Sequence, residues 1–257
     1  MLELKNINKN YNPGTVNELC LFENFNLTIQ DGEFVSVIGS NGSGKTSMLN
    51  IICGTIPVDS GSILVSGTDI VNQKDYIRHR RIGRVYQDPS KGTCPSMTIL
   101  ENMSIADNKG KGYGLGRGVN KARAEHYREM LRDLNLGLEN QMETKVGSLS
   151  GGQRQTLALL MATMNPIEFL ILDEHTAALD PKTAEIIMEL TDKIVKEKKV
   201  TTIMVTHNLR YAVEYGDRLI MMHQGKAIID KAGADKKAMQ VDDILGTFNE
   251  ISIECGN

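Results

Sequence analysis

Residues Gly39-Ser-Asn-Gly-Ser-Gly-Lys-Thr46 decide the fold of this chain. They match a phosphate-binding pattern in which a glycine and four free positions precede Gly-Lys-Ser or Gly-Lys-Thr. The apolar residues of 34–38 predict a buried strand before this loop, and the segment after it predicts a helix that ends at Gly54. A strand, a glycine loop and a helix are the context in which the pattern binds phosphates.

The glycines let the loop turn sharply and point successive N–H groups at an anion, and the helix N-terminus adds about half a positive charge there. Lys45 is expected to reach the outer phosphates, and the Thr46 hydroxyl to coordinate Mg²⁺. The alternative is a glycine-rich turn that only joins a strand to a helix. The sequence therefore predicts a nucleoside triphosphate ligand, bound by Gly39, Ser40, Asn41, Gly42, Ser43, Gly44, Lys45, Thr46 and Ser47.

Composition limits the class of protein. The 257 residues suffice for one large domain, or for a core with a smaller lobe, and 40% hydrophobic and 24% charged residues are ordinary for a globular protein. A net charge of −3 argues against a nucleic-acid binder. No apolar run reaches the roughly 18–20 residues that cross a bilayer, so a membrane role would need a partner with spanning helices. The scattered cysteines predict free thiols.

The first half of the chain predicts strands around the loop. Residues 2–7 and 20–29 predict an antiparallel hairpin, and 60–67 and 82–86 predict further strands. The basic run 78–84 is interpreted as a solvated face. Residues 109–119 are too rich in glycine for a regular element and predict a surface loop, after which Asn120 is expected to cap a helix that ends before Gly137.

The second half alternates helices and strands. Ser150 and Gln153 fit a capping box, 169–172 predicts a strand of a parallel sheet, and Asp180 is expected to cap a helix with Pro181 in its first turn. Residues 200–206 predict a strand directly before His207. Two short strands around 224–225 and a polar helical tail complete the chain.

Candidate functional residues share a position relative to these strands. Gly39, Gln87, Asp173, Glu174 and His207 each follow the carboxyl end of a predicted strand. In an open α/β sheet ligands bind at that edge. The sequence therefore predicts that these residues converge on one crevice.

With Leu149-Ser-Gly-Gly-Gln153 added, the chain resembles the nucleotide-binding ATPase subunits of ATP-binding cassette (ABC) transporters, from about Leu2 to about Asp230. The resemblance implies an α/β fold: a P-loop NTPase (RecA-like) core with an antiparallel β subdomain and an inserted helical subdomain. It implies a single domain over 1–257, with the core at 1–87 and 154–230, the helical subdomain at 88–153 and a helical tail at 231–257. The implied ligands are ATP and Mg²⁺.

The resemblance also assigns roles. Glu174 would be the general base, His207 would contact the γ-phosphate, and Tyr11 would stack on adenine; a structural histidine and a plain hairpin tyrosine are the alternatives. Gln87 would contact Mg²⁺ and the attacking water, and Asp173 would hold Mg²⁺ through water. The implied catalytic residues are Lys45, Gln87, Glu174 and His207, the metal ligands Thr46, Gln87 and Asp173, and the further nucleotide-binding residues Ser150, Gly151, Gly152, Gln153 and Asp180.

The signature segment 149–153 implies a dimer. A capping box explains Ser150 and Gln153 but not the two glycines between them, so we interpret these as sites of close backbone approach. In the family this helix end meets the γ-phosphate bound by the opposite subunit, with Asp180 in the loop that crosses between subunits. Two copies would thus sandwich two ATP molecules head to tail.

The resemblance implies a subunit that energises a membrane importer of a small solute at the cytoplasmic face of the membrane. Its partners would be permease subunits and, indirectly, an extracytoplasmic substrate-binding protein, with no nucleic acid. The chain departs from the common family pattern at three places: His175 stands where most members have proline, Ala177-Ala178 replaces the usual serine-alanine, and the glycine-rich stretch is long. These features resemble the importer ATPases for amino acids, aromatic ones included, and for phosphonates. The alternatives are a soluble ABC ATPase of the iron–sulfur assembly type and an exporter or lipoprotein-release subunit.

Overall fold

The computed structural model describes residues 1–112 and 118–254, and of 252–254 the backbone alone. The strands are β1 (Leu2–Tyr11), β2 (Leu19–Ile29), β3 (Phe34–Gly39), β4 (Ser60–Val65), β5 (Thr68–Asp69), β6 (Ile82–Val85), β7 (Phe169–Asp173), β8 (Thr201–Val205), β9 (Arg218–His223) and β10 (Lys226–Ala232). The α-helices are α1 (Lys45–Cys53), α2 (Asp75–Arg78), α3 (Ile99–Asp107), α4 (Ala124–Arg132), α5 (Gly151–Thr163), α6 (Pro181–Lys198), α7 (Leu209–Glu214), α8 (Gly233–Ala238) and α9 (Val241–Glu254). Short 3₁₀ turns lie at Pro89–Lys91, Lys121–Arg123, Leu138–Asn140 and Val146–Ser148.

The chain divides into two compact units by the density of its internal contacts. The first comprises Met1–Asp75 and Lys199–Asn257, and the second comprises Tyr76–Lys198. This division is not the one into core and helical subdomain that the sequence suggests. The boundaries at 87 and 153, and the assignment of 1–257 to one domain, therefore remain predictions.

An antiparallel sheet in the first unit has the strand order β2-β1-β4-β5. Leu2 pairs with Ile29 on one side and with Val65 on the other. Leu2 and Leu4 are buried while Glu3 between them is more exposed, the alternation of a strand with one face on a core. The predicted hairpin is confirmed, but β1 continues to Tyr11, beyond the predicted end at residue 7.

The other strands of the first unit run in the order β10-β9-β3-β8. The strand β3 is parallel to both β8 and β9, and β10 is antiparallel to β9. Every residue of β3 is buried, as expected of a strand covered on both faces. The helices α7 and α9 contribute to an apolar cluster on this sheet that includes Ile38, Ala212, Met221 and Ile244.

The second unit contains the parallel pair β6 and β7, with Ile82 opposite Phe169 and Val85 opposite Leu172. Its helices enclose an apolar core around Met103, Tyr127 and Leu157. None of the helices in the described part of the chain is long and apolar enough to cross a membrane.

The helical segment after residue 108 differs from the sequence prediction. The prediction that Asn120 caps a helix is wrong: a 3₁₀ turn at Lys121–Arg123 separates it from α4, and its side chain makes no capping hydrogen bond. Since α4 ends at Arg132, the helix is also shorter than the apolar spacing up to Leu134 indicated. The predicted loop 109–119 is described only at its ends, since residues 113–117 lie outside the described range.

Candidate functional site

The loop between β3 and α1 has the geometry of an anion site. The N-cap of α1 is Gly44, which has a left-handed conformation and no side chain to satisfy the first N–H groups of the helix. The first turn of α1, which contains Thr46 and Ser47, carries no acidic residue. The helix therefore presents its N–H groups and the positive end of its dipole to a ligand.

Lys45 places a positive charge inside this loop. Its Nζ donates hydrogen bonds to the carbonyl oxygens of Gly39 and Ser40, at 2.7 and 2.9 Å, and lies 3.4 Å from Ser43 Oγ. The residue is buried. A phosphate in the loop would thus meet a cation that is already oriented.

Position 39 of the loop requires glycine. Its φ is +149°, and a Cβ at this position would lie 2.2 Å from the carbonyl oxygen of Met222 on the neighbouring strand β9. A Cβ on Gly42 would meet nothing within 4 Å. The glycine at 39 is required by packing against β9, whereas the space beside Gly42 is open.

Tyr11 lies beside the start of α1. It is half-buried at the end of β1, and its hydroxyl is 3.4 Å from Ser47 Oγ. Its role in adenine stacking remains a prediction.

His207 and the phosphate loop line the same cavity of about 340 Å³. Gly39, Ser40 and Asn41 form the loop side, and His207 follows β8, the parallel neighbour of β3. Leu245 and Phe248 of α9 also line this cavity, although the sequence indicated only a polar tail there. The structure thus joins two predicted site segments and adds a wall from the C-terminal helix.

Gln87, Asp173 and Glu174 belong to the second unit. They follow the carboxyl ends of β6 and β7, which are adjacent and parallel. Within this unit the predicted edge is formed. The convergence of all five positions on one crevice remains a prediction.

Asp173 forms an ion pair that the sequence did not reveal. Arg84 Nη2 lies 2.7 Å from Asp173 Oδ2, and the two side chains are only 7% and 14% exposed. The guanidinium of Arg84 also lies 4.6 Å from the centre of the Tyr86 ring. The interpretation of 78–84 as a solvated face is therefore wrong at Arg84, and also at Arg78, which is buried. An arginine within the apolar strand Ile82–Val85 was the available signal.

The signature segment forms the capping box that its sequence predicts. Ser150 Oγ accepts from Gln153 N at 3.2 Å, and the Gln153 side chain accepts from Ser150 N at 3.1 Å. A Cβ on Gly152 would lie 2.4 Å from Thr183 Cγ2, whereas one on Gly151 would make ordinary contact with Leu179 at 3.4 Å. The close approach at Gly152 is thus to α6 of the same chain.

Asp180 caps α6 as predicted, since its Oδ1 accepts from Thr183 N at 3.1 Å. Hydrogen bonds from Thr183 lower the pKa of the Asp180 carboxyl. The ionised carboxylate is therefore favoured at this exposed helix start.

The oxygen ligands predicted for Mg²⁺ lie in both units: Thr46 in the first, Gln87 and Asp173 in the second. Hydroxyl, amide and carboxylate oxygens suit this hard cation, which needs few protein ligands when phosphates supply others. Within the described residues no group of three or more His, Cys, Asp or Glu side chains forms a metal cluster. That Thr46, Gln87 and Asp173 bind one Mg²⁺ ion remains a prediction.

Known proteins and a family model match most of this chain. Residues 22–177, more than half of it, match the family model described as "ABC transporter". A tyrosine transport ATP-binding protein of Clostridioides difficile is 49% identical over 250 residues, which cover 96% of this chain and 98% of that protein. The spermidine/putrescine import ATP-binding protein PotA of Haemophilus influenzae is 34% identical over 90% of this chain and 57% of its own length.

Solved structures that resemble this chain are also ATP-binding cassettes. A dimeric structure of the ATP-binding cassette MJ0796 in a post-hydrolysis state, bound to ADP and Pi, is 33% identical, with a TM-score of 0.76 over 90% of this chain and 98% of that chain. The ADP conformation of MJ1267, an ATP-binding cassette of an ABC transporter, is 24% identical, with a TM-score of 0.81 over 100% of this chain and 99% of that one. At that identity the second match shows the fold alone.

Proposed function

Because the chain belongs to the ABC transporter family of ATP-binding cassettes, we propose that it energises a membrane importer of tyrosine or a related amino acid. Its predicted fold class, an α/β P-loop NTPase fold with an antiparallel β sheet and a helical part, is confirmed. It is an ATPase. The observation that carries the cargo proposal is the 49% identity to a tyrosine transport protein along nearly the full length of both chains.

In the proposed reaction the loop 39–46 binds the phosphates of ATP and Lys45 neutralises charge on the γ-phosphate. Mg²⁺, held by Thr46, Gln87 and Asp173, would supply further charge neutralisation when bound. Glu174 polarises the attacking water as general base, and His207 contacts the γ-phosphate. Tyr11 stacks on the adenine ring.

The active form is a head-to-tail dimer in which Ser150, Gly151, Gly152 and Gln153 of one copy face the γ-phosphate bound by the other. The start of α5 supports this, since a helix N-terminus favours an anion and the capping box uses only the N–H groups of Ser150 and Gln153. Asp180 lies in the loop that crosses between the copies. The relative solved as a dimer also supports this assembly.

The permease partner docks on the second unit, and the subunit is held at the cytoplasmic face of the membrane. A cavity of about 340 Å³ in this unit supports that site; it is lined by β6, α3 and α5, with His79, Tyr86, Ile105, Lys109 and Met161 among its residues. An amphipathic helix of the permease, with an acidic group for His79 and Lys109, suits its mixed apolar and basic lining. An extracytoplasmic binding protein would deliver the cargo to the permease.

A pull-down from solubilised membranes tests the assembly. Tagged Glu174→Gln protein with ATP present should retain a polytopic membrane protein in stoichiometric amount, and Lys45→Ala should retain less of it if ATP binding promotes assembly. Recovery of soluble scaffold proteins alone would favour the iron–sulfur assembly class instead.

Uptake measurements test the cargo. A strain without this subunit should lose uptake of labelled tyrosine, and the wild-type subunit should restore it while Glu174→Gln should not. Loss of spermidine uptake with tyrosine uptake intact would overturn the amino-acid assignment.

A further inference from the structure

The mechanism leaves one buried polar residue beside the general base unexplained. His175 directly follows Glu174 and is only 2% exposed. A polar ring at this degree of burial requires a hydrogen-bond partner.

That partner is Thr191 on α6. His175 Nε2 lies 3.2 Å from Thr191 Oγ1, and Thr191 is itself fully buried. The Thr191 hydroxyl donates its single proton to the carbonyl oxygen of Ile187, at 2.7 Å. Its oxygen is therefore the acceptor in the contact with His175, and the imidazole carries its proton on Nε2.

The backbone at Glu174 explains why an anchor is needed. Glu174 has a φ of +50°, in the left-handed region that residues with a side chain rarely adopt. It is flanked by Asp173, the last residue of β7, and by a turn in which Ala177 N donates to Glu174 O at 3.0 Å. Such a conformation persists only where surrounding contacts hold it in place.

We propose that His175 is a positioning residue for Glu174: its hydrogen bond to Thr191 fixes the turn after β7 to the helix α6 and so holds the general base in its catalytic orientation. This inference rests on the proposed role of Glu174. Before the turn, the pairing of β7 with β6 fixes the chain. After it, the bond from His175 to Thr191, which lies 16 residues further along the sequence, does the same. Small displacements of a catalytic group cost rate rather than binding.

The test removes each end of the bond separately. Thr191→Val keeps the shape but removes the acceptor, and His175→Leu removes the donor. Each should lower kcat of ATP hydrolysis at least about tenfold, with KM for ATP within about twofold of wild type, since the nucleotide is bound mainly by the loop 39–46. The double variant should be no slower than the slower single variant, because both changes remove the same bond.

Conservative variants separate positioning from folding. His175→Gln places an amide N–H near the position of Nε2, and Thr191→Ser keeps the hydroxyl, so both should recover most of kcat. Thr191→Val should lower the thermal unfolding midpoint by only about a few degrees, since it leaves one buried N–H without its acceptor, and it should bind a fluorescent ATP analogue as the wild type does. This variant serves if His175→Leu does not fold. Multiplicative losses in the double variant, or a Thr191→Val enzyme with unchanged kcat, would overturn the inference.

The outcome is independent of the importer proposal. These measurements use the purified wild-type cassette and its variants at a protein concentration that supports dimers. If the wild type hydrolyses ATP but no permease is recovered, the positioning role still stands or falls by its own variants. If Glu174→Gln retains brisk turnover, it is the role of Glu174 that fails.

Discussion

Replacing Arg84 by methionine should destabilise the second unit strongly. The guanidinium of Arg84 lies 2.7 Å from the Asp173 carboxylate, with the two side chains 7% and 14% exposed. Methionine fills a similar volume but leaves the carboxylate without this cation. An ion pair so far from solvent is screened little, so its loss is not compensated by water.

The size of the effect follows from that burial. Removing one partner of a buried ion pair costs about 3–5 kcal/mol, and we expect the lower end because Asp173 retains some exposure. With a urea dependence of about 3 kcal/mol per M, the unfolding midpoint should fall by about 1 M. Asp173→Asn added to Arg84→Met should restore at least half of the loss, because the uncompensated charge is then removed.

Urea unfolding followed by circular dichroism measures both variants. Lys193→Met is the matched control, since Lys193 and Glu197 form an exposed pair 4.0 Å apart on α6 of the same unit. This control should change stability by no more than about 0.5 kcal/mol. If Arg84→Met costs as little as Lys193→Met, or if Asp173→Asn does not rescue it, the ion pair does not stabilise this unit.

Four further predictions follow from the site. Burial lowers the pKa of His175 from 6.5 to about 4, so the unfolded state binds a proton at a higher pH than the folded state does. The free energy of unfolding should therefore fall as pH drops below about 6.5, by about 3 kcal/mol near pH 4. Urea unfolding of His175→Gln should lack this part of the pH dependence. Glu174→Gln should bind ATP and form a stable dimer by gel filtration with little turnover; brisk phosphate release would contradict the general-base role. Lys45→Ala should weaken binding of a fluorescent ATP analogue at least about tenfold and abolish turnover; unchanged affinity would show that the ammonium does not contact phosphate. Gly39→Ala should cost more than about 3 kcal/mol in urea unfolding, because its Cβ would lie 2.2 Å from Met222 O, whereas Gly42→Ala should cost about 1 kcal/mol; equal losses would contradict the packing argument.

Local signals predicted the elements that position the site. The glycines of 39–46 and the apolar residues before them determine the strand, loop and helix, and the helix ends at Gly54 as the sequence indicates. Ser150 and Gln153 form their capping box because both partners lie within one helical turn. In each case the interacting groups are close in sequence, so the local sequence pattern is sufficient to predict the contact.

Two of the missed features depend on partners far apart in the chain. Arg84 meets Asp173 across 89 residues, and although its place within the apolar strand Ile82–Val85 was a signal of burial, the sequence did not reveal its partner. The cavity wall formed by Leu245 and Phe248 beside the phosphate loop likewise requires the tertiary fold. Asn120 failed in another way: a good capping residue preceded a 3₁₀ turn, because propensity does not fix where an α-helix begins.

The ends of the buried strands β3 and β7 both require a residue with positive φ, and the two positions are occupied by different kinds of residue. Gly39 and Glu174 both have positive φ directly at the end of a strand, where the chain must turn sharply to expose its functional groups. At position 39 the backbone itself is used, so glycine adopts this conformation without strain. At position 174 a carboxylate is required, and the strain of roughly 1–3 kcal/mol must be offset by neighbouring contacts. The proposed bond between the fully buried His175 and Thr191 would supply such a contact, which gives a physical reason for a histidine at this position.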